Sequence, residues 1–330
     1  MVSRILAFRP ASVMDRLAPR SGACPLSARE LLGPAAELGL LLPVVRAPIV
    51  AVARAALVAA RELQSALGLA LPPGVPAGPW FAGVARAADE VAAGLPIFLS
   101  ADVTVEGEGA TQIERASLDA WRLVDAGLTH LAIDVAAVAP AERGRVLGEV
   151  AQAAAAHGVS VEGVVPLADG TQAVPRAAAM IEGAARRGVT LDVAGVRCPA
   201  PAGDDGARLQ AAALARMSQA LAGLPLLRRG PVTPPLLELL RGSPVKACED
   251  GGAAATRALA GIPAGGVEPD AVGGSRASPL ERAAAELSAE VADRLEARAY
   301  GEAMDFMERL GARGSARAVS RALERRLEER

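Results

Sequence analysis

The sequence predicts an α/β fold, a single (β/α)₈ barrel of the TIM type with a C-terminal helical extension. Two observations predict this architecture. The chain has 330 residues, of which 52% are hydrophobic, and this is enough for one large core. Short apolar runs alternate with helical stretches along most of the chain, as is typical of parallel βαβ units. Eight such units close a barrel whose chemistry lies at the carboxyl ends of its strands.

The predicted strands are short and are separated by segments with helical periodicity. Helices are expected at residues 49–67, 113–126 and 146–156. The last of these stops before Gly158, where a glycine commonly ends a helix. In chain order, the strands are predicted at residues 41–45, 69–71, 95–101, 128–133, 159–165, 189–196, 225–227 and 244–247.

This organisation divides the chain into four regions. Residues 1–26 are rich in arginine and lack a continuous apolar run, so they are predicted to be an N-terminal leader and not a signal peptide. The barrel is expected at 27–264, a glycine-rich loop at 265–277 and C-terminal helices at 278–330.

The C-terminal region has the signature of two helices. Ser278 suits an N-cap, Pro279 the first helical position and Glu281 a capping box, so a helix is predicted from there to about Leu310. A second helix is expected at 315–329, and the last ten residues of the chain are interpreted as a solvated tail. Apolar residues three and four apart indicate a face packed on the barrel or on a second subunit.

Composition excludes several function classes. The net charge of −2 and an aromatic content of 2% argue against a nucleic-acid-binding protein. The most apolar stretch, 38–60, is interrupted by two prolines and two arginines, so no membrane span is expected. Three cysteines distant in sequence form no CxxC pair, which favours a reducing compartment and a cytoplasmic location.

Several segments carry a resemblance to a known family. They occur in a fairly specific order and spacing: SARELLGPAAELGLLLPVV (27–45), ARAALVAARELQS (53–65), LPIFLSADVT (95–104), GLTHLAID (127–134), AAHGVSVEGVV (155–165), LPLLRRG (224–230) and VKACED (245–250). Together they resemble the class II, metal-dependent fructose/tagatose-bisphosphate aldolases. The resemblance implies a TIM barrel, carbohydrate metabolism and aldehyde-lyase chemistry.

The resemblance also implies a zinc site, and the residues at its positions depart from the family. Three histidines and a glutamate would hold the metal, and the matching positions carry Arg197, Arg229 and two valines, Val103 and Val164. Valine has no lone pair for zinc, and arginine would repel the ion. The chain has two histidines in all, so a three-histidine site is impossible. We therefore predict no metal and no other cofactor.

At other matching positions, this chain either keeps the family's acidic residue or has a basic residue in place of a neutral one. Asp102 matches the aspartate that donates a proton in the family, and Asp134, Glu162 and Asp250 match further acidic positions. The family's asparagines in the first and eighth strands are replaced by Arg46 and Lys246. After the seventh strand, Gly230 is followed by Pro231, which lacks an N–H for a phosphate.

We call the end of the barrel at the carboxyl ends of its strands the barrel mouth. These matches leave three interpretations of it. The first is an internal ion-pair network, in which arginines replace the cation that the carboxylates would have bound. The second is an anion pocket for a phosphorylated sugar, with basic residues from the first, sixth, seventh and eighth strands on one side and carboxylates opposite. The third is a Schiff base on Lys246, with Asp102 moving protons.

The functional prediction is a class II aldolase-like barrel without zinc-dependent aldol cleavage. It would be a sugar-phosphate- or anion-binding protein, or a non-catalytic partner subunit. The alternative is an active carbon–carbon lyase that works without zinc through Lys246. A homo-oligomer or an aldolase-like partner, bound through the C-terminal helices, is also expected.

Overall fold

Eight parallel strands form the barrel in the computed structural model, which describes residues 4–167, 173–221, 223–260 and 287–329. The strands follow one another in sequence order around the ring, and the last pairs with the first and so closes it. A short parallel strand, β1 (Cys24–Pro25), pairs with Pro96 and Ile97 of the ring. The barrel strands are β2 (Leu42–Arg46), β3 (Leu67–Leu71), β4 (Pro96–Thr104), β5 (His130–Asp134), β6 (Ser160–Pro166), β7 (Val193–Arg197), β8 (Leu226–Arg229) and β9 (Ala247–Glu249). The predicted (β/α)₈ barrel is therefore confirmed.

Helices cover the outside of the ring. Their buried residues are mostly alanine, valine and leucine, which lets the helices approach the strands closely. The helices are α1 (Ala11–Met14), α2 (Ala28–Glu37), α3 (Val50–Leu63), α4 (Ala77–Val91), α5 (Ala110–Asp125), α6 (Arg143–Ala156), α7 (Ala173–Ala185), α8 (Gly203–Ala220), α9 (Pro234–Leu240), α10 (Ala253–Leu259), α11 (Ala289–Leu310) and α12 (Ser315–Glu328). Within the described ranges, no helix is long and apolar enough to cross a membrane.

Several predicted boundaries are wrong, each for a local reason. The helix predicted to end at residue 67 stops at Leu63, because Gln64 adopts a left-handed conformation with φ of 53°. The sixth strand starts at Val193, since Val189 still donates its N–H to Ala184 at the end of the preceding helix. The eighth strand runs later than 244–247, and Pro244 has no N–H to donate to the sheet.

The N-terminal segment closes the lower end of the barrel. Residues 4–26, expected to be a leader, include the fully buried Ile5 and Val13 and the strand β1. Asp89 on α4 accepts hydrogen bonds from Ser21, Gly22 and Ala23. The described part of this segment thus packs on the barrel as part of its core.

The C-terminal helices also pack on the barrel. The apolar face of α11 lies mainly against α3, and α12 contacts α2. Ala322 and Leu323 are buried, so the interpretation of the last ten residues as a solvated tail is wrong. The prediction of one helix from Pro279 to about Leu310 is also wrong, because Ser288 is extended and α11 starts at Ala289. The predicted loop at 265–277 and the capping residues at 278–281 lie outside the described residues.

Candidate functional site at the barrel mouth

Arg229, the last residue of β8, fills the centre of the barrel interior. Its Nε and Nη2 donate to the two carboxylate oxygens of Glu162 on β6, at 2.5 and 2.7 Å. Its Nη1 donates to Asp102 on β4 at 3.0 Å and to Glu249 on β9 at 2.9 Å. The Arg229 side chain is 5% exposed and that of Glu162 is fully buried. A single guanidinium therefore joins carboxylates from three strands.

Arg46 closes the same cluster from the first barrel strand. Its Nη2 donates to Asp102 and to Glu249, each at 3.0 Å, and its Nε also donates to Glu249. Its side chain is 22% exposed, so it lies at the upper, solvent-facing side of the cluster. We call Arg46, Asp102, Glu162, Arg229 and Glu249 the mouth network.

A polar chain continues below the mouth network. His130 Nε2 lies 2.7 Å from Glu162, and because a carboxylate only accepts, the ring nitrogen is the donor. The other ring nitrogen lies 2.9 Å from Ser160 Oγ, which in turn accepts from the backbone N–H of Ala28 on α2. Hydrogen-bonded groups therefore run along the barrel from its lower end to its mouth.

A glycine provides the space that this arrangement needs. Gly195 lies on β7 beside Glu162, and a Cβ at this position would come within 1.9 Å of a Glu162 oxygen. Any larger residue at 195 would displace the carboxylate that binds Arg229. The glycine on β7 thus allows the buried ion pair to form between β6 and β8, the strands on either side of it.

Burial and charge have opposite effects on the ionisation of this cluster. Burial alone would raise the pKa of Glu162, but the Arg229 guanidinium and His130 outweigh it and lower the pKa to about 2. Burial disfavours the charged form of Arg229 as well, yet Glu162 and Asp102 raise the pKa of Arg229 well above its usual value. The Arg229–Glu162 pair therefore stays ionised throughout the neutral range.

Arg197 and Asp134 form a separate ion pair at the rim. They end β7 and β5, and their side chains meet across the end of β6 at 2.5 Å. The Arg197 side chain is 52% exposed, whereas Asp134 is buried. The expected segregation of basic groups on one side is therefore wrong: Arg197 binds an acidic strand end, and Glu249 lies between Arg46 and Arg229. The direct contacts that the ion-pair interpretation predicts are present.

Lys246 does not lie at the mouth, and this placement was wrong. It precedes β9, its N–H donates to Leu226 and its carbonyl accepts from Leu42, both at the amino ends of their strands. Burial lowers the pKa of Lys246, but Asp102 lies at the opposite end of the barrel. The hypothesis of a Schiff-base lysine with Asp102 as its proton shuttle has no geometric support here.

Asp250 and Gly230 make hydrogen bonds that involve backbone groups of the loops near the mouth. Asp250 Oδ1 accepts from the N–H groups of Arg46 and Gly252. Gly230 has φ of 108°, and a Cβ there would meet the Cys198 carbonyl oxygen at 2.3 Å. The carbonyls of Gly230 and Pro231 accept from the buried Arg228. Arg228 thus holds the loop after β8 through its carbonyl groups.

The residues at the expected metal positions do not fit zinc. Among the described residues, no group of three or more His, Cys, Asp and Glu side chains could hold a metal ion. The carboxylates of the mouth network are bound to guanidinium groups, and Val103 and Val164 are buried. Burial raises the pKa of the thiols of Cys24 and Cys248 to about 12 and that of Cys198 to about 11, which disfavours the thiolate that a soft metal needs.

We predict that the purified protein contains no stoichiometric zinc. A guanidinium occupies the place of a ligand and repels a second cation, so added zinc should not raise the melting temperature. Elemental analysis after dialysis against trace zinc checks this. About one zinc per chain, retained through gel filtration, would contradict the prediction.

The architecture is similar to that of solved aldolase structures. The YdjI aldolase from Escherichia coli K12 matches with a TM-score of 0.61 and 13% identity, over 87% of this chain and 98% of that chain. Fructose-bisphosphate aldolase of Campylobacter jejuni matches with a TM-score of 0.59 and 13% identity, over 92% and 98%. A Coccidioides immitis structure assigned as a fructose-1,6-biphosphate aldolase matches with a TM-score of 0.59 and 17% identity, over 87% and 96%. No family model and no curated protein matches the sequence.

The chain therefore shares the (β/α)₈ fold of these aldolase structures. The expected fold resemblance is therefore confirmed. Identities of 13 to 17% show the fold alone and carry no activity to this chain.

Sequence reasoning missed Glu249 in the mouth network and two members of the polar chain below it. Glu249 was not among the predicted site residues, and it proves to be the group on β9 that binds both Arg46 and Arg229. His130 and Ser160, each the first residue of its strand, connect Glu162 to the lower end of the barrel. Their inward direction was a usable signal, because residues an even number of positions apart on a strand share a face. Ser160 lies two positions before Glu162, and His130 lies four positions before Asp134.

Proposed function

We propose that this chain is an aldolase-like barrel that does not carry out zinc-dependent aldol cleavage and acts as a non-catalytic partner subunit. The observation that supports this most strongly is the position of Arg229. Its guanidinium occupies the centre of the mouth and donates hydrogen bonds to three carboxylates. A metal-dependent lyase needs an open coordination position and a free proton donor at this place. Here the Arg229 guanidinium occupies the centre of the mouth, and Asp102, the expected proton donor, is bound to Arg229 and Arg46.

The same contacts argue against a ready-made phosphate pocket. A phosphate dianion needs cations or N–H groups that are free to face it. Arg46, Arg197 and Arg229 each bind a carboxylate, so an incoming anion would have to displace that partner. Lysine-based lyase chemistry is less favoured still, since Lys246 belongs to the other end of the barrel.

A thermal-shift series tests this proposal. Phosphorylated ketoses, including fructose 1,6-bisphosphate, are added to the protein with and without Zn²⁺, and cleavage is assayed in parallel. We expect no cleavage and no rise in melting temperature, because a ligand at about 100 times its Kd would stabilise the fold by about 2.7 kcal/mol, which is readily detected.

Two other outcomes would each contradict a different part of the proposal. Zinc-dependent cleavage would restore the enzyme interpretation. A shift with phosphosugars but no cleavage, lost in Arg197→Ala and kept in Arg208→Ala, would instead favour the anion-binding interpretation. Arg208 is a suitable control because it is an exposed arginine on α8 whose partner, Asp205, is also exposed.

A further inference from the structure

Helix α5 exposes an apolar patch on the outside of the barrel. Leu118 and Trp121 lie one turn apart and are 46% and 50% exposed. They border an open groove of about 960 Å³ between α5 and α6, whose far wall includes Val150 and Ala153. Large apolar side chains that are grouped in this way typically mark a contact surface.

The charges around this patch are self-complementary. In an antiparallel pair of α5 helices related by a two-fold axis at Leu118, residues equally far before and after 118 face each other. Glu114 would then face Arg122 of the second copy, and Arg115 would face its Trp121. The two-fold axis repeats the Glu114–Arg122 ion pair, so the interface contains two copies of it. It also contains two copies of the Arg115–Trp121 contact, and an arginine over a tryptophan face is a favourable cation–π contact.

These side chains are free enough to change partners. Arg122 and Arg115 are 57% and 68% exposed, and their present contacts, to Asp119 at 3.3 Å and to Glu106 at 3.7 Å, are surface ion pairs. Such pairs contribute little and are exchanged readily. Two turns from the axis, Thr111 would face Asp125, so no like charges oppose each other along the face.

We propose that the chain forms a two-fold homodimer in which α5 packs antiparallel on α5 of a second copy, with Leu118 on the axis and the α5–α6 groove covered. The occupant is a second copy because its own charges match this face. This inference is independent of the state of the mouth network, since the patch lies on the outer helical layer.

Sedimentation velocity on the full chain over a range of concentrations tests the dimer. We expect a species of twice the chain mass in the wild type. Leu118→Glu places two carboxylates together on the axis and should weaken association on the order of 100-fold, since the change occurs twice in the interface. The matched control is Leu209→Glu on α8, a leucine that is 72% exposed and outside the patch, which should leave association unchanged.

A charge exchange distinguishes this geometry from simple apolar stickiness. Glu114→Arg alone and Arg122→Glu alone should each weaken the dimer, and the two together should restore it. A wild type that is monomeric at every concentration would overturn the proposal, as would equal effects of the Leu118 and Leu209 variants. A dimer that the charge exchange does not restore would overturn the antiparallel α5 arrangement.

Discussion

Arg229→Ala is expected to lower the free energy of unfolding by about 3–5 kcal/mol, the usual range when one partner of a buried ion pair is removed. The substitution leaves Glu162 fully buried, and among the described residues His130 is then its only side-chain partner. Glu249 and Asp102 would share the one remaining guanidinium of Arg46. Urea denaturation at neutral pH measures the effect.

Two further variants make this prediction specific. Arg229→Lys keeps the charge but cannot bind Glu162 through two parallel N–H groups. Its free energy of unfolding should therefore lie between those of the wild type and Arg229→Ala. Arg208→Ala removes an exposed arginine whose ion pair is at 3.5 Å and should change stability little. If Arg229→Ala and Arg208→Ala behave alike, the mouth network does not stabilise the fold and the proposed function loses its main support.

Acid should destabilise this protein strongly between about pH 4.5 and pH 2. Glu162 has its pKa lowered to about 2 from an ordinary value of 4.5. A carboxyl group whose pKa is depressed in the folded state stabilises it fully above the unfolded-state value and loses that contribution as the pH falls through the folded value. For Glu162 the contribution is on the order of 3 kcal/mol, from the size of the shift.

The Glu162→Gln variant isolates this contribution. Its side chain has nearly the same shape but does not titrate, and it is neutral opposite Arg229. We expect it to be less stable than the wild type at neutral pH, with the two curves of unfolding free energy against pH converging as the pH falls towards about 2. Parallel curves would show that protonation of Glu162 is not what destabilises the protein in acid.

The sequence alone predicted the fold and excluded a three-histidine zinc site. Alternating apolar runs and helical stretches predicted the barrel and the order of its strands, because each βα unit must bury one face of a strand and one stripe of a helix. With two histidines in the chain, a three-histidine zinc site was excluded by composition alone. Arg46, Asp102, Glu162 and Arg229 were also identified as groups that belong together.

Only the tertiary structure decided which partner each of these groups has and where Lys246 lies. The eighth strand was predicted at 244–247 and forms at Ala247–Glu249. Side chains alternate along a strand and its two ends face opposite ends of the barrel, so this small displacement removed Lys246 from the mouth and placed Glu249 there. Local sequence determines that a strand forms, whereas the hydrogen-bond register with β2 and β8 determines which of its side chains reach Arg229.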